Sequence, residues 1–283
     1  MRKLSVEILT VNSLMKSAVT LSLVPEARGG PFVYWDDLAA GFAAAAKHGF
    51  DAVEIFPSAA NAVPIGQTRE LMEKHSLKIA AVGTGAGWVK HKLRLTDPDP
   101  AVRAKAREFI FGIINLAGYL GAPTIIGSMQ GRWEGAVSRD QALALLAEEL
   151  TALSERAAAH KQVLLYEPLN RYETNLLNRN ADAAAFLDAH KLTNVRLLCD
   201  LYHMNIEEAD LAASLRAVGP CIGHVHFADS NRQAIGFGHT DAVPIVAALR
   251  DVGYTGYLSA EILPLPDSDT AAAKTMESFR RLV

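Results

Sequence analysis

From residue 17 onward, short runs of apolar residues alternate with longer segments in which alanine and other apolar residues recur at helical spacing. The short runs are too uniformly apolar for strands with one face in water, so they predict parallel strands covered on both faces. Eight strand-then-helix units follow one another in strict alternation. This count, in a chain of 283 residues, predicts a single-domain α/β protein with a closed (β/α)8 TIM barrel.

Glycine, proline and capping residues define the predicted boundaries. The predicted strands cover residues 18–24, 51–56, 78–82, 123–126, 163–167, 195–200, 221–227 and 257–261. The predicted helices cover about residues 37–49, 67–75, 101–120, 139–160, 181–190, 207–218, 242–252 and 269–282. Residues 1–16 are predicted to be an N-terminal extension and residues 17–283 the barrel. An open doubly wound sheet is the alternative, but no Gly-x-Gly-x-x-Gly pattern follows the first strand.

Four consecutive predicted strands end on a candidate metal ligand, namely Glu167, Asp200, His226 and Glu261. Because the C-terminal ends of barrel strands meet at one rim, we expect the four side chains to lie together. A single carboxylate at a strand end often caps the next helix. Four candidate ligands at the ends of four neighbouring strands are better explained by one shared metal site than by four unrelated roles. Oxygen ligands with one imidazole favour Mn²⁺, with Mg²⁺ or Co²⁺ as alternatives. The sequence therefore predicts a site for one divalent cation.

The residues beside these ligands have simpler predicted roles. His224 shares strand parity with His226 but lies one layer deeper, so we expect a hydrogen-bonded core histidine. Cys199 precedes Asp200 and should pack towards the helices. Both cysteines, Cys199 and Cys221, lie in predicted buried strands, and two thiols in a chain of this length do not make a disulfide framework. With no recognisable secretion signal, this favours a cytoplasmic protein.

The overall charge narrows the classes of partner. The net charge is −3 and the isoelectric point is about 6.3, whereas nucleic-acid-binding proteins usually carry a basic stripe. No apolar run approaches the roughly 20 residues of a membrane span. We therefore expect neither a nucleic-acid partner nor a membrane partner, which leaves a small-molecule substrate.

The predicted site suits proton transfer next to a ketone. A cation that binds a ketone oxygen and a neighbouring hydroxyl acidifies the intervening C–H and stabilises the enediolate left by proton loss. Return of the proton to the opposite face inverts that carbon, and this requires an acid–base group on each side of the substrate. Glu167 and Glu261 come from strands three apart around the ring, so we predict them as the catalytic pair as well as ligands. Asp200 and His226 would mainly hold the cation.

Three polar residues follow the predicted ligands closely and are candidates for substrate binding. Glu173 can hold a substrate hydroxyl, or else form a loop salt bridge. His203 can donate to the ketone oxygen, or else cap a helix. Arg232 can bind substrate hydroxyls or a carboxylate through its forked guanidinium, or else be a solvated surface residue.

Three segments, 167–173, 200–208 and 224–232, resemble the ketose 3-epimerases. That group includes D-tagatose and D-allulose 3-epimerases, within the xylose-isomerase-like TIM-barrel superfamily. The resemblance implies the four metal ligands, the acid–base pair and the three substrate contacts already named. It further implies a metal-dependent epimerase that acts on a free ketose or keto-sugar acid through a cis-enediolate. Related barrels are often dimers or tetramers, so a homo-oligomer is also implied.

Four further segments, 83–85, 131–135, 236–239 and 261–266, resemble a narrower group, the 5-keto-gluconate epimerases that act on keto-sugar acids. This resemblance implies that Arg132 binds a substrate carboxylate and that His239 lines the same mouth. The alternatives are a loop salt bridge for Arg132 and a place beside the N-cap of the next helix for His239.

Four other functions compete with this prediction. An aldose–ketose isomerase of the hydroxypyruvate-isomerase kind uses the same enediolate but returns the proton to a neighbouring carbon. A dehydratase or other lyase would start from the same intermediate. A DNA-repair endonuclease on this barrel would need further metal ligands and a basic face. A non-catalytic sugar-binding module would not need two acid–base carboxylates.

Overall fold

The computed structural model describes residues 15–283 and contains a closed, all-parallel barrel. Its strands are β1 (Lys16–Leu23), β2 (Tyr34–Trp35), β3 (Ala52–Pro57), β4 (Lys78–Gly83), β5 (Thr124–Ile126), β6 (Leu164–Tyr166), β7 (Val195–Asp200), β8 (Ile222–His226) and β9 (Tyr257–Ala260). β1 pairs with both β3 and β9, which closes the ring. The two-residue β2 pairs only with β1, so the barrel proper has eight strands. The predicted single-domain (β/α)8 TIM barrel is confirmed.

Helices surround the ring and cover its outer face. They are α1 (Leu38–His48), α2 (Ile65–His75), α3 (Ala86–His91), α4 (Pro100–Tyr119), α5 (Arg139–Ala159), α6 (Asn180–Ala189), α7 (Leu201–Glu207), α8 (Leu211–Val218), α9 (Ala242–Asp251) and α10 (Ser268–Leu282). The main apolar core lies between strands and helices, where Leu146, Leu150 and Leu153 of α5 belong to the same buried cluster as Leu164 and Tyr166 of β6. Among these helices, none is both long and apolar enough to cross a bilayer.

Local capping explains why several boundaries fall where the sequence predicts them. The carboxylate of Asp37 accepts a hydrogen bond from the Ala40 amide at the start of α1. Gly49 ends that helix with a φ of 81°, a left-handed conformation that favours glycine. Ser138 and Gln141 form a reciprocal capping box that begins α5.

Other boundaries differ from the prediction. β1 begins at Lys16, and residues 1–14, which make up most of the predicted extension, lie outside the described residues. A short helix, α3, occupies the segment after β4, which the sequence predicted only as a loop. The helix predicted at 207–218 is confirmed only from Leu211, where Asp210 caps α8, and the preceding α7, which starts directly after β7, was not predicted. Cys199 is buried as predicted, but Cys221 is only half-buried and lies in a 3₁₀ turn before β8.

Candidate metal centre and active-site cavity

The C-terminal ends of β6 to β9 bring the four predicted ligands into one buried cluster. One donor atom from each of Glu167, Asp200, His226 and Glu261 lies within 4.8 Å of the others. The Nδ1 atom of His226 is 3.3 Å from Asp200 Oδ2, 3.3 Å from Glu261 Oε2 and 3.5 Å from Glu167 Oε1. The four strands therefore direct one imidazole and three carboxylates to a single point.

This donor set fits a hard divalent cation. Opposite ligands of an octahedral Mg²⁺ lie about 4.2 Å apart, a separation that the 4.8 Å spread accommodates. Three carboxylates crowded in a dry site repel one another unless they share positive charge. Glu167 Oε1 is buried and forms no hydrogen bond within the described residues, so it is free to act as a ligand. The cluster thus has the composition, size and free donor that a Mn²⁺ or Mg²⁺ site needs.

Glu167 is held in place through its backbone and through a neighbouring glycine. The buried side chain of Gln130 donates to the Glu167 carbonyl oxygen at 2.9 Å and accepts from the Tyr166 hydroxyl at 2.5 Å. A Cβ atom at Gly127 would come within 2.5 Å of Glu167 Oε2. Only glycine at position 127 leaves room for this carboxylate, a constraint that the sequence alone does not reveal.

Asp200 performs two tasks with its two oxygens. Its Oδ1 accepts the Tyr202 amide at 2.7 Å and so caps α7, which starts immediately after the strand. Its Oδ2 faces His226. Helix capping and cluster formation, which the sequence analysis weighed as alternatives for a strand-end carboxylate, therefore coexist at this residue.

A fifth carboxylate, Glu54 on β3, lies beneath the cluster and was missed by the sequence analysis. It is completely buried and contacts His226 Nε2 at 2.9 Å and His224 Nε2 at 2.6 Å. Burial would raise the pKa of Glu54, but the charges and N–H groups of the two histidines hold it well below the ordinary value. The prediction of His224 as a hydrogen-bonded core residue is confirmed.

The two predicted catalytic glutamates have different environments. Burial raises the pKa of Glu167 above its ordinary value, and His226 offsets this only in part. Burial acts in the same direction on Glu261, but the positive charges of His226 and Arg232 outweigh it and lower the pKa. Two carboxyls with pKa values shifted in opposite directions suit one acid and one base.

A cavity of about 830 Å³ opens above the cluster at the C-terminal rim of the barrel. Glu167 and Glu261 line it, whereas Asp200 and His226 lie below its floor. Its apolar wall comes mainly from the first half of the chain and includes Phe32, Phe56 and Trp88. Of the four clustered residues, only the two glutamates can touch a molecule in the cavity.

Glu173 and His203, two of the predicted substrate contacts, also line the cavity. The buried His203 places Nε2 3.8 Å from Glu167 Oε1 and 3.7 Å from Asp200 Oδ2. The amide group of Asn170 donates to His203 Nδ1 at 2.7 Å and to Glu173 Oε1 at 3.1 Å. Asn170 therefore leaves the protonated Nε2 of His203 facing the cluster, an orienting role that the sequence analysis did not assign to it.

Arg232, the third predicted contact, is fixed above the cluster rather than solvated. Its Nη2 atom lies 2.6 Å from Glu261 Oε2 and 3.7 Å from Asp200 Oδ2. Its guanidinium also lies over the ring of Tyr202, 4.6 Å from the centroid. The residue has a φ of 59°, which is uncommon for a residue other than glycine, and its side chain lines the cavity.

Arg132 lies on the loop after β5 and lines the outer part of the cavity. Thr96 and Thr174 donate to the carbonyl oxygens of Arg132 and Gly131, at 3.0 and 2.8 Å. Within residues 15–283 the Arg132 guanidinium forms no ion pair, since the nearby Glu134 pairs with Arg94. The loop salt bridge considered for Arg132 is therefore not formed, and its positive charge remains available to a ligand.

His239 is the one predicted contact that does not join the others. Asp229 accepts backbone N–H groups from Gly236, Gly238 and Thr240, at 2.7, 2.9 and 3.0 Å. These bonds coil the loop upon itself and leave His239 exposed, beside a second, shallow depression. The structure therefore places His239 outside the main cavity, and its role as a substrate contact stays a prediction.

The model of the xylose isomerase-like TIM barrel family matches residues 42–282. The chain belongs to this family. The resemblance drawn from the three motifs is therefore confirmed, and the motif-bearing half of the chain lies within the matched range.

Within the xylose isomerase-like family, several similar proteins are epimerases by name. L-ribulose 3-epimerase from Methylomonas sp. (strain DH-1) is 31% identical over 264 residues, which cover 90% of each chain. A 3-dehydro-D-guloside 4-epimerase from Escherichia coli (strain K12) is 38% identical over 117 residues, 41% of this chain and 45% of that protein. The crystal structure of a D-allulose 3-epimerase from Methylomonas sp. with D-allulose has a TM-score of 0.78 and 28% identity, covering 96% of this chain and 99% of that one.

Epimerases are isomerases, so the prediction that this family member is an enzyme of that class is confirmed. The predicted homo-oligomer and the cytoplasmic location stay predictions.

Proposed function

We propose that this member of the xylose isomerase-like family is a metal-dependent epimerase that inverts a carbon next to the ketone of a free ketose or keto-sugar acid. One observation carries the proposal: only Glu167 and Glu261, of the four clustered ligand candidates, line the cavity. A two-base inversion needs two acid–base groups that contact the same substrate. The two glutamates can do so, whereas Asp200 and His226 lie below the cavity. The epimerase names of the relatives support the same reaction class.

One divalent cation would be held by Glu167, Asp200, His226 and Glu261, with Mn²⁺ favoured and Mg²⁺ or Co²⁺ as alternatives. When bound, it would supply Lewis-acid stabilisation of the negative charge that develops on the substrate oxygens. Asp200 and His226, which lie below the cavity, would only hold the cation.

The two glutamates would remove one proton from the substrate carbon and add another to its opposite face. Glu261, kept ionised by Arg232, takes the proton from the carbon beside the ketone and leaves a cis-enediolate. Glu167 delivers a proton to the opposite face, so the inverted ketose leaves with its atoms unchanged in number, and proton exchange with water returns both glutamates to their starting states. His203 Nε2 and the Arg232 guanidinium face this region and would donate hydrogen bonds to substrate oxygens.

A specific observation favours one further substrate class, the 3-keto glycosides. The E. coli relative that shares 38% identity is named as a 4-epimerase of a 3-dehydro-guloside. The same two glutamates could exchange a proton at C4 when the ketone is at C3. The cavity of 830 Å³ lies in the upper part of the usual range for small-molecule sites, about 300–1,000 Å³, so a sugar with an additional group would fit.

The experiment is a substrate panel followed by NMR in D₂O with added Mn²⁺. The panel contains neutral ketoses, keto-sugar acids and 3-keto glycosides. An epimerase incorporates one deuterium at the inverted carbon and keeps the ketone. An aldose–ketose isomerase of the hydroxypyruvate-isomerase type instead gives an aldehyde, and a lyase or dehydratase changes the substrate mass. Products of either kind, without an epimer, would contradict the proposal.

Replacing Arg132 with glutamine tests whether the substrate is a keto-sugar acid. We expect KM for an acidic substrate to rise about tenfold or more, because a charge-assisted hydrogen bond contributes about 1.5–3 kcal/mol. KM for a neutral ketose should not change, and kcat should be preserved for both. Arg28→Gln is the matched control, since Arg28 also lines the cavity but its charge is paired with Asp36. Equal effects on neutral and acidic sugars would exclude carboxylate recognition by Arg132.

A further inference from the structure

Glu54 is a buried carboxylate that the proposed reaction does not use. It lies on β3, three strands around the ring from β8, which carries His224 and His226, and it has no exposed surface. Its two oxygens are divided between the two histidines: Oε1 lies 2.9 Å from His226 Nε2 and Oε2 lies 2.6 Å from His224 Nε2. Burying a carboxylate so deeply is costly unless it is paired and hydrogen-bonded, as it is here with the two histidines.

The geometry around His226 defines which ring nitrogen faces the metal-ligand cluster. An ionised carboxylate can only accept hydrogen bonds, so the nitrogen that faces Glu54, Nε2, must carry a hydrogen. Nδ1 is then the nitrogen that can present a lone pair, and it faces Asp200, Glu261 and Glu167 at 3.3, 3.3 and 3.5 Å. The Glu54 carboxylate, as the acceptor for Nε2–H, thus selects both the tautomer and the orientation of the His226 ring.

We propose that Glu54 is a positioning residue that fixes His226 with Nε2 protonated and Nδ1 presented to the cation. His224 completes the arrangement, because it binds the second carboxylate oxygen and prevents Glu54 from rotating away. The inference rests on the cation site of the proposed function. Glu54 does not line the cavity, so its effect on turnover would pass entirely through His226.

A second cation held by Glu54, His224 and His226 is the competing interpretation, since their donor atoms are also close together. The geometry favours the hydrogen-bonded triad. Both contacts have ordinary lengths for N–H donors and carboxylate acceptors, and each oxygen already has its own donor. A second cation would require His226 to ligate through both ring nitrogens at once.

Glu54→Gln tests the proposal by cation binding. Glutamine keeps the size of the side chain but offers one acceptor oxygen and one NH₂ donor, so one histidine loses its partner. We expect the affinity for Mn²⁺ to fall about 10- to 100-fold, as is usual for a residue that supports a metal ligand. The readout is an EPR titration of free Mn²⁺ against chelator-treated full-length protein, with circular dichroism to confirm folding. Glu149→Gln is the matched control, because Glu149 is equally buried but lies on α5, paired with Arg107.

A spectroscopic readout separates positioning from general destabilisation. In protein loaded with diamagnetic Mg²⁺ and labelled with ¹⁵N-histidine, His226 should show a protonated, hydrogen-bonded Nε2 and an unprotonated Nδ1. Glu54→Gln should weaken or remove that Nε2–H signal, whereas Glu149→Gln should leave it intact. A wild-type ring protonated at Nδ1 instead would overturn the proposal.

The remaining outcomes are also decisive. If wild-type protein binds no Mn²⁺, the proposed cation site fails, and the inference fails with it. If wild-type protein binds Mn²⁺ and folded Glu54→Gln and Glu54→Leu variants, the latter without an acceptor for either histidine, bind it equally well, only the positioning role is overturned. If the glutamine variant does not fold, Glu54→Asp serves in its place: it keeps the charge but shortens the reach, and an unchanged Mn²⁺ affinity would reject the proposal.

Discussion

Replacing Glu261 with glutamine is expected to lower kcat by about 10³- to 10⁴-fold, which is near the upper limit for loss of a general acid–base group. The side chain lines the cavity, its Oε2 is 3.3 Å from His226 Nδ1, and Arg232 holds it at 2.6 Å. Glutamine can still occupy this position and offer one oxygen to the cation, but it cannot accept the substrate proton. Exchange of substrate hydrogen with D₂O should fall in parallel with turnover.

The assay for this variant has to separate lost proton transfer from lost cation. Turnover should therefore be measured at saturating Mn²⁺, with the bound ion counted by EPR. Glu134→Gln is a suitable control, since Glu134 also lines the cavity but pairs with Arg94 at its outer edge. Full activity of a cation-loaded Glu261→Gln protein would rule out the two-glutamate mechanism.

Removing the cation with a chelator is expected to abolish turnover, and Mn²⁺ should restore it. In the metal-free cluster, burial would lower the pKa of His226, but Glu261 and Glu54 raise it well above the ordinary value, so a proton substitutes for part of the missing positive charge. That proton balances the carboxylates but cannot bind two substrate oxygens. Product formation with and without dialysis against chelator measures the effect.

Cation binding should also stabilise the fold. A ligand at 100 times its dissociation constant adds about 2.7 kcal/mol to the free energy of unfolding, which raises Tm by several degrees. Asp200→Asn should reduce this shift, because Asp200 contributes one of the donors and does not line the cavity. Undiminished activity in protein shown by elemental analysis to be metal-free would exclude a metal-dependent reaction.

The sequence is sufficient to predict the barrel and the four clustered residues. Parallel strands buried on both faces appear in the sequence as short apolar runs that alternate with helical segments. In a closed barrel, the C-terminal ends of all these strands lie at one rim. Any ligand at those ends must therefore meet its neighbours, as Asp200 and His226 do at 3.3 Å. The six-residue helix α3 and the two-residue strand β2 are too short to show a periodic pattern of apolar residues, so the sequence does not predict them.

Other parts of the site depend on tertiary contacts that no local pattern encodes. Glu54 lies in the middle of an apolar strand, and its only signal is a charge at an inward position, without a motif to indicate its histidine partners. His239 was assigned to the mouth, but the path of its loop is decided by the hydrogen bonds that Asp229 accepts. Gln130 and Asn170 act through backbone and side-chain atoms that are distant in sequence.

The two halves of the chain contribute different surfaces to the cavity, and this separation has a practical consequence. The cluster comes from β6 to β9, whereas the aromatic wall, Phe32, Phe56 and Trp88, comes from segments before residue 100. Residues of the wall can therefore be varied to test their effect on substrate preference without changing the four clustered residues. Changes at Phe56 need the most care, because Phe56 shares β3 with Glu54, whose carboxylate contacts His226 of the cluster.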